Sequence, residues 1–237
     1  PLPVILSKKG VYNMKKIGVI FAMNKELELF AAAVSNFTKE KGKNHTFYHG
    51  FLENCELFAV VSGIGKVNAA LCTADLIETC APDFILNIGI SGGLSDKLNI
   101  GEYIVGSDIV YHDVWCGEPN AYGQIQEFPA QYHSAVELCC KLADYRQGLI
   151  CCGDKFITQS NELTSISRHF PTALAVDMES AAIAQTCYIY NTPLLCLRQI
   201  SDIPGHPFSE QQYSDFWQNT AGQTVNSLSN LLKNLCE

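Results

Sequence analysis

The sequence has few basic residues for its length. Sixteen Lys and Arg stand against 24 Asp and Glu, which gives a formal net charge of −8 over 237 residues, and no run of basic residues concentrates positive charge. Nucleic acids and anionic membranes are bound through clustered Lys and Arg. The composition therefore argues against both as partners. The six-residue apolar stretch near the N-terminus is also too short to span a bilayer.

The sequence also lacks cysteines at the spacings that bind metals or form redox dithiols. Its eleven cysteines include the adjacent pairs Cys139–Cys140 and Cys151–Cys152, which are not separated by two residues. Most lie in apolar stretches, so we expect small core residues in a reducing cytoplasm. His112 and His206 have no further ligand at a metal-binding spacing. We therefore expect no metal and no cofactor.

The length of the chain suits one well-buried core. We expect a single domain over residues 14–237. In residues 1–13 an apolar stretch precedes Lys8 and Lys9, which is the reverse of the order in a signal peptide. These residues are therefore expected to form an extension outside the core.

Apolar runs alternate with helical patterns along the chain. Residues 17–22 form such a run, and apolar residues follow at helical spacing from Leu27 to Val34. This alternation predicts an α/β fold. Residues 216–235 place apolar side chains on one helical face and are expected to form a packing helix. Further strands are expected over 57–61, 84–90, 103–110, 148–152, 174–176 and 193–200, and further helices over 67–77, near 134–142 and over 177–184.

Polar residues stand where several of these strands end. In open α/β sheets, ligands collect outside the carboxyl ends of the strands, so Glu26, Ser91, Glu179 and Asp202 are functional candidates. Asp202 closes an apolar strand, where a buried carboxylate is unfavourable unless it is paired or used in chemistry. For Glu179 and its neighbour Asp177, a position at a helix N-terminus explains an acidic residue equally well.

Two glycine turns invite comparison with nucleotide-binding loops. Residues 62–66 (SGIGK) lack both the first glycine and the final Ser or Thr of a phosphate-binding loop. We therefore expect a tight turn between a strand and a helix. Gly89, Gly92 and Gly93 do not match the dinucleotide-binding pattern either, but they would let a ligand approach the backbone closely.

Seven segments of the sequence form one pattern. They are 17–23 with Glu26, 62–66 (SGIGK), 87–93 (NIGISGG), 111–113 (YHD), 153–157 (GDKFI), 176–179 (VDME) and 198–202 (RQISD). Their order and spacing are similar to those of 5'-methylthioadenosine/S-adenosylhomocysteine nucleosidase, in the purine nucleoside phosphorylase-like superfamily, from Met14 almost to the C-terminus. The resemblance implies a three-layer α/β/α sandwich around a mixed central sheet, a homodimer, and hydrolysis of the N-glycosidic bond of an adenine thionucleoside.

The resemblance also assigns catalytic roles. Asp202, oriented by Ser201, would deliver a proton to the purine N7, because adenine is a poor leaving group as an anion. Burial at the strand end would raise the pKa of Asp202 and keep that proton in place. Glu26, with Arg198 nearby, would direct and deprotonate the water that attacks the sugar. Glu179 would accept hydrogen bonds from the ribose hydroxyls, and such bonds strengthen in the transition state.

The same resemblance implies a substrate pocket. Phe156 would stack on adenine, the backbone of Ile157 would read the purine edge, and Met178 would lie against the sugar. Tyr213 would supply an aromatic lid. The other residues expected to bind substrate are Ala22, Met23, Ile90, Ser91, Gly92 and Asp177.

The chain departs from the family pattern where the 5' substituent is read. In the family, a partner-subunit loop after the Tyr-His-Asp motif closes part of the 5' slot. Here residues 114–128 carry Trp115, Cys116 and Pro119 instead of the expected aromatic pattern, and residues 204–212 differ in length. Aminofutalosine nucleosidase therefore stays open as a second hypothesis.

A phosphorylase and a regulatory protein are the remaining hypotheses. A purine nucleoside phosphorylase would need cationic partners for phosphate, but the turns over 22–26 and 87–90 contain no arginine, and Glu26 would repel the anion. A nucleoside-binding regulatory protein without turnover is disfavoured because both Glu26 and Asp202 are present.

Overall fold

Strands and helices alternate through most of the chain. A computed structural model describes residues 14–95, 97–219 and 221–236; the expected extension over residues 1–13 lies outside the described residues. The elements in chain order are β1 (Lys15–Phe21), α1 (Asn24–Ala33), β2 (Ser35–Lys41), β3 (Thr46–Leu52), β4 (Cys55–Val61), α2 (Lys66–Cys80), β5 (Phe84–Gly93), β6 (Tyr103–Tyr111), β7 (Tyr132–His133), α3 (Val136–Cys140), β8 (Arg146–Cys152), α4 (Ser160–His169), β9 (Ala173–Asp177), α5 (Ser180–Ile189), β10 (Leu194–Asp202), α6 (Ser209–Asn219) and α7 (Ala221–Cys236).

One mixed sheet holds all the described strands. Its order is β10-β6-β8-β9-β5-β1-β4-β3-β2, with β7 added to β6. β1 is parallel to both β4 and β5, with Ile17 opposite Leu57 on one side and Phe84 on the other. Because β5 also pairs with β10, the strands β5, β10, β6, β8 and β9 close into a ring, and β1, β4, β3 and β2 extend from it.

Helices cover both faces of the sheet. Side chains alternate between the faces of a strand, so Val19 of β1 packs on one side with Phe30 of α1 and Leu232 of α7. Ile20 packs on the other side, in the same cluster as Leu76 of α2 and Ile183 of α5. Each such buried side chain contributes about 1.5–3 kcal/mol to folding. This arrangement confirms the expected three layers.

Several elements differ from the expectations of the sequence. The packing helix expected over 216–235 is helical on both sides of residue 220, which lies outside the described residues: α6 ends at Asn219 and packs against β10, and α7 begins at Ala221 and packs against α1 and β3. The helix expected near 134–142 is shorter, and it ends where Gln147 Nε2 donates to the carbonyl oxygens of Cys139 (3.0 Å) and Leu142 (3.2 Å). The β2–β3 hairpin and α4 were not predicted, since their sequences carry no continuous apolar run.

The cysteines are mostly core residues, as the sequence indicated. All eleven are free thiols and eight are buried, whereas Cys80 is half-buried and Cys116 and Cys140 are exposed. Among the helices that the structure describes, none combines the length and apolarity needed to cross a bilayer.

Candidate active site

A cavity of about 360 Å³ lies where the ends of β1, β5, β9 and β10 meet. Its volume is typical of a pocket for a small organic ligand. Fourteen of the fifteen site residues predicted from the sequence line it, and Arg198 lies behind the wall. The lining residues are Ala22, Met23, Glu26, Ile64, Ile90, Ser91, Gly92, Lys155, Phe156, Ile157, Val176, Asp177, Met178, Glu179, Ser201, Asp202, Pro204 and Tyr213.

Asp202 is brought to the cavity by an irregularity in β10. The register with β5 pairs Ile200 with Ser91 and Asp202 with Gly92, so the ladder shifts at Ser201. Such bulges re-aim side chains at the ends of strands. Ser201 Oγ donates to Asp202 Oδ1 over 2.7 Å and lies 3.2 Å from the carbonyl oxygen of Ser91. The bulge and the hydroxyl together fix the orientation of the carboxyl group.

The second carboxyl oxygen of Asp202, Oδ2, lies in surroundings that favour its protonated form. Asp202 is 1% exposed, and its Oδ2 is buried without a hydrogen-bond partner among the described residues. Burial raises the pKa of Asp202, and the bond from Ser201 opposes the rise only in part. A protonated Oδ2 next to the cavity can act as an acid toward a bound base.

Glu26 lies in the first turn of α1 and is held by three backbone donors. Its Oε2 accepts from the N–H groups of Ala22 and Met23, both at 2.9 Å, and its Oε1 accepts from Ile90 N–H at 3.0 Å. Burial raises the pKa of Glu26, while these N–H groups and the charge of Arg198 act in the opposite direction. The carboxylate is therefore fixed in place, and its raised pKa makes it a stronger proton acceptor than a solvent-exposed glutamate.

A glycine in β5 makes room for Glu26. A Cβ atom on Gly89 would lie 2.7 Å from Glu26 Oε1 and 3.7 Å from Arg198 Nη1. A Cβ atom does not fit at 2.7 Å, so position 89 has to be glycine for the carboxylate of Glu26 to pack against the strand.

Glu179 forms the N-cap of α5 and is anchored from a different part of the chain. Its Oε1 accepts from Gly65 N–H at 2.8 Å. Gly65 has φ +96°, a backbone conformation that favours glycine. Burial, followed by the charge of Asp177, raises the pKa of Glu179 to about 7. The tight turn expected over 62–66 thus supplies a donor to the site.

Arg198, behind the cavity wall, forms a buried ion pair with Asp177, which lines the cavity. Arg198 Nε donates to Asp177 Oδ2 over 2.7 Å, and Arg198 Nη2 donates to Asn87 Oδ1 over 2.5 Å. Asp177 Oδ1 accepts from Ser180 Oγ at 2.8 Å. The sequence indicated a place for Arg198 near Glu26, and the structure gives Arg198 a direct partner in Asp177. The charge of Arg198 also opposes, without cancelling, the rise in the pKa of Glu26 and of Glu179.

Comparison with known proteins matches this geometry to one family. The model of the phosphorylase superfamily matches residues 16–237. A 5'-methylthioadenosine/S-adenosylhomocysteine nucleosidase of Chromohalobacter salexigens is 35% identical over 232 residues, which cover 94% of this chain and 98% of that protein. A Staphylococcus aureus protein of the same name is 36% identical over 227 residues, covering 90% and 98%. The chain belongs to this nucleosidase family.

Solved structures of the same family share the fold. The Neisseria meningitidis nucleosidase in complex with methylthio-immucillin-A aligns with a TM-score of 0.85 at 32% identity, covering 92% of this chain and 99% of that one. The Streptococcus pyogenes S-adenosylhomocysteine nucleosidase in complex with 5-methylthiotubericidin aligns with a TM-score of 0.88 at 30% identity, covering 95% and 99%. The nucleoside phosphorylase-like fold is thereby confirmed.

Aromatic side chains flank the mouth of the nucleosidase cavity. The rings of Phe156 and Tyr213 meet edge to face with their centroids 5.5 Å apart, although the residues come from the loop after β8 and from α6. Phe156 is 48% exposed, whereas Ile157 beside it is buried. The hydroxyl of Tyr213 lies 3.8 Å from Met23 Sδ. The structure thus brings together residues that the sequence separates widely.

Four lining residues were not among the predicted site residues. Ile64, Lys155 and Val176 belong to segments that carried the family resemblance, and Pro204 follows Asp202 closely. The close approach of Pro204 requires glycine at position 92, because a Cβ atom there would lie 2.6 Å from the Cγ of Pro204. The motifs were a signal for Ile64, Lys155 and Val176, but the apolar side chains of Ile64 and Val176 carry no chemistry that marks them individually.

The remaining candidates lie away from the cavity. None of residues 114–128 lines the cavity of its own chain; Tyr122 of this loop stacks on His169 with the ring centroids 3.7 Å apart. His112 is buried against Gly153, and His206 Nδ1 accepts from Phe208 N–H over 3.3 Å. Within the described ranges, no three His, Cys, Asp or Glu residues cluster in a way that could hold a metal ion.

Proposed function

We propose that this chain hydrolyses the N-glycosidic bond of 5'-methylthioadenosine and S-adenosylhomocysteine, releasing adenine and the thioribose product. The observation that carries the proposal is the pair formed by Asp202, a buried acid with one oxygen free for substrate, and Glu26, a carboxylate fixed across the same cavity. Glycosidic cleavage with water as nucleophile needs an acid for the leaving group and a base for the water.

Each group has a separate part in the reaction. Asp202 donates its Oδ2 proton to N7 of adenine as the bond to the sugar lengthens, so that adenine leaves as a neutral base. Glu26 accepts a proton from the attacking water. Glu179 accepts hydrogen bonds from the ribose hydroxyls while the sugar gains positive charge. Phe156 stacks on the purine, and Met178 packs against the sugar.

The surroundings of Glu26 support hydrolysis over phosphorolysis. Phosphate bound at this end of the cavity would need N–H donors, and Glu26 already occupies those of Ala22, Met23 and Ile90. Arg198, the nearby cation, is engaged by Asp177 and Asn87. A phosphate dianion would therefore meet a carboxylate where a phosphorylase needs positive charge.

The decisive experiment measures adenine release from methylthioadenosine, adenosylhomocysteine, 5'-deoxyadenosine and aminofutalosine, with and without phosphate. The expected result is release from the two thionucleosides at rates that phosphate leaves unchanged. A strict need for phosphate would establish a phosphorylase. Turnover of aminofutalosine with neither thionucleoside consumed would establish an aminofutalosine nucleosidase.

A homodimer is part of this proposal. Val67 and Leu71, one turn apart on α2, are 70% and 63% exposed, and Ile189 of α5 is 59% exposed. A second copy of the chain would bury this apolar face and bring residues 114–128 over the partner's cavity. Leu71→Asp should give a monomer with weakened thionucleoside binding, measured by sedimentation and KM. Phe51→Asp, at an exposed site on β3, is the matched control and should stay dimeric.

The proposed cellular location is the cytoplasm. Eleven free thiols, eight of them buried in the core, fit a reducing compartment.

A further inference from the structure

Lys66 lies outside the cavity but contacts two other segments of the chain. Its Nζ donates to Asp113 Oδ1 and Oδ2 over 2.9 and 2.8 Å, and lies 3.6 Å from Asp154 Oδ2. Its backbone N–H donates to Asp154 Oδ1 over 2.8 Å. Asp154 N–H in turn donates to Asp113 Oδ2 over 2.9 Å. The three residues form a closed triangle of bonds, which we name the Lys66 triangle.

Each corner of the Lys66 triangle is next to a segment with a place in the site. Gly65, the residue before Lys66, donates its N–H to Glu179. Asp154 stands two residues before Phe156 in the loop after β8, and Asp113 directly precedes residues 114–128. The triangle therefore connects the 62–65 turn, which holds the carboxylate of Glu179, to the 153–157 loop, which carries Phe156.

The two carboxylates of the triangle need a positive charge between them, which the ammonium group of Lys66 supplies. Asp113 and Asp154 would repel each other without a positive charge between them. Partial burial opposes the charged form of Lys66, but the bond and charge of Asp113 together with the charge of Asp154 outweigh it and raise the pKa of Lys66. The ammonium also lies 5.3 Å from the centre of the Tyr111 ring, a favourable cation–π distance.

We propose that Lys66 is a positioning residue that holds the 153–157 loop and the 62–65 turn at a fixed separation, so that the adenine and ribose contacts form together. This inference rests on the proposed function. Partly exposed ion pairs contribute little to global stability, and the side chains of Lys66, Asp113 and Asp154 are 22%, 28% and 47% exposed. Loss of the triangle should therefore affect binding more than folding.

The test compares Lys66→Met, which keeps the length of the side chain but removes its charge, with wild type. We expect KM for methylthioadenosine and the dissociation constant of free adenine each to rise about tenfold. The change in kcat should be smaller, because Asp202 and Glu26 are held by contacts outside the triangle. The midpoint of thermal unfolding and the sedimentation coefficient should stay at their wild-type values.

Two further variants sharpen the result. Asp154→Asn should weaken adenine binding in the same direction, and its effect should be less than additive with that of Lys66→Met, because both act through one triangle. Lys39→Met, which removes an exposed lysine from β2, is the matched control and should bind adenine like wild type.

Three outcomes would overturn the inference. They are unchanged adenine affinity in Lys66→Met, fully additive effects with Asp154→Asn, or a loss of affinity that accompanies an equal loss of thermal stability or of the dimer. Adenine affinity is measured by calorimetry and needs no turnover. The result for Lys66 can therefore be told apart from failure of the proposed hydrolysis, which the adenine-release assay reports separately.

Discussion

The floor and the rim of the cavity are built in different ways. We define the floor as the lining residues Glu26, Glu179, Ser201 and Asp202 together with Arg198 behind them, and the rim as Ile64, Lys155, Phe156 and Tyr213. Every floor residue is at most 9% exposed, whereas Phe156 and Ile64 on the rim are 48% and 51% exposed.

The two regions also differ in what holds their side chains. Backbone groups and neighbouring buried side chains fix the floor, with hydrogen-bond distances between 2.5 and 3.3 Å for Glu26, Arg198 and Asp202. Ring contacts and an exposed ion pair hold much of the rim. Fixed buried groups suit proton transfer, where geometry decides the rate. Exposed loop residues suit selection of a ligand. The difference predicts that floor variants lose kcat and rim variants lose binding.

The largest effect is expected at Asp202. Asp202→Asn keeps the shape and the bond with Ser201 but cannot donate an acidic proton, so kcat should fall about 10⁴-fold. The dissociation constant for adenine should change little. Stopped-assay kinetics and calorimetry measure the two quantities, and Asp144→Asn, an exposed aspartate, is the control. An equal loss of binding and turnover would mean that Asp202 is structural and that the contrast between floor and rim fails.

Glu26→Gln should give the next largest effect, a loss of about 10³-fold in kcat, because the amide cannot accept the proton of the attacking water. The pH profile of kcat/KM sharpens the test. Glu26 must be ionised and Asp202 protonated, so activity should fall at low pH as Glu26 gains a proton and at high pH as Asp202 loses one. Burial raises the pKa of both, which moves the bell toward neutral pH. Glu26→Gln should lose the acid limb; survival of that limb would exclude Glu26 as the base.

Phe156→Ala tests the rim. Removing the aromatic platform should raise KM about tenfold, since stacking of a base on an aromatic side chain contributes about 1–3 kcal/mol. We expect kcat to stay within about threefold of wild type, because the ring touches none of the groups that transfer protons. Steady-state kinetics on methylthioadenosine decide the matter. A drop in kcat with KM unchanged would show that Phe156 acts in the chemical step, as we expect of the floor residues, and not in binding.

The smallest effect concerns stability. The pKa of Glu179 is raised from 4.5 to about 7 in the folded protein, so the folded state binds this proton more tightly than the unfolded chain. Wild type should therefore lose stability as the pH rises from about 4.5 to about 7. Glu179→Gln removes that loss, and its unfolding midpoint should exceed that of wild type by about 5 °C at pH 8 and match it at pH 4. A lower midpoint at pH 8 would show that the ionised carboxylate is stabilised by its surroundings.

The sequence indicated which residues form the floor, but it did not indicate how these residues contact one another. Asp202 was marked by its place at the end of an apolar strand, and the structure buries its carboxyl group there, beside the cavity. The ion pair of Arg198 with Asp177 could not be read in the same way, since it depends on the order of β9 and β10 in the sheet, which the one-dimensional pattern does not encode. The Lys66 triangle is hidden for the same reason. Its three residues come from three segments that only the folded sheet brings together.

The fold shows a similar division. Apolar runs marked β1, β4, β5 and β10, whereas β2 and β3 have no continuous apolar run and gave no such signal. The helical face expected over 216–235 lies in α6 and α7, but α6 begins earlier, at Ser209, because the largely polar residues 209–215 give no apolar pattern that would mark them.

The closed ring of strands decides where the molecule could aggregate. Because β5 pairs with β10, the described sheet has one long open edge, at β2; the only other edge belongs to the two-residue β7. Unpaired strand edges are templates for addition of a foreign strand, and charged residues, lysine above all, discourage it. The outer half of β2 reads Lys39, Glu40 and Lys41, all exposed. The edge most open to fibril-like association is thus protected by charge, and it lies four strands from β5, whose residues Ile90, Ser91 and Gly92 line the cavity.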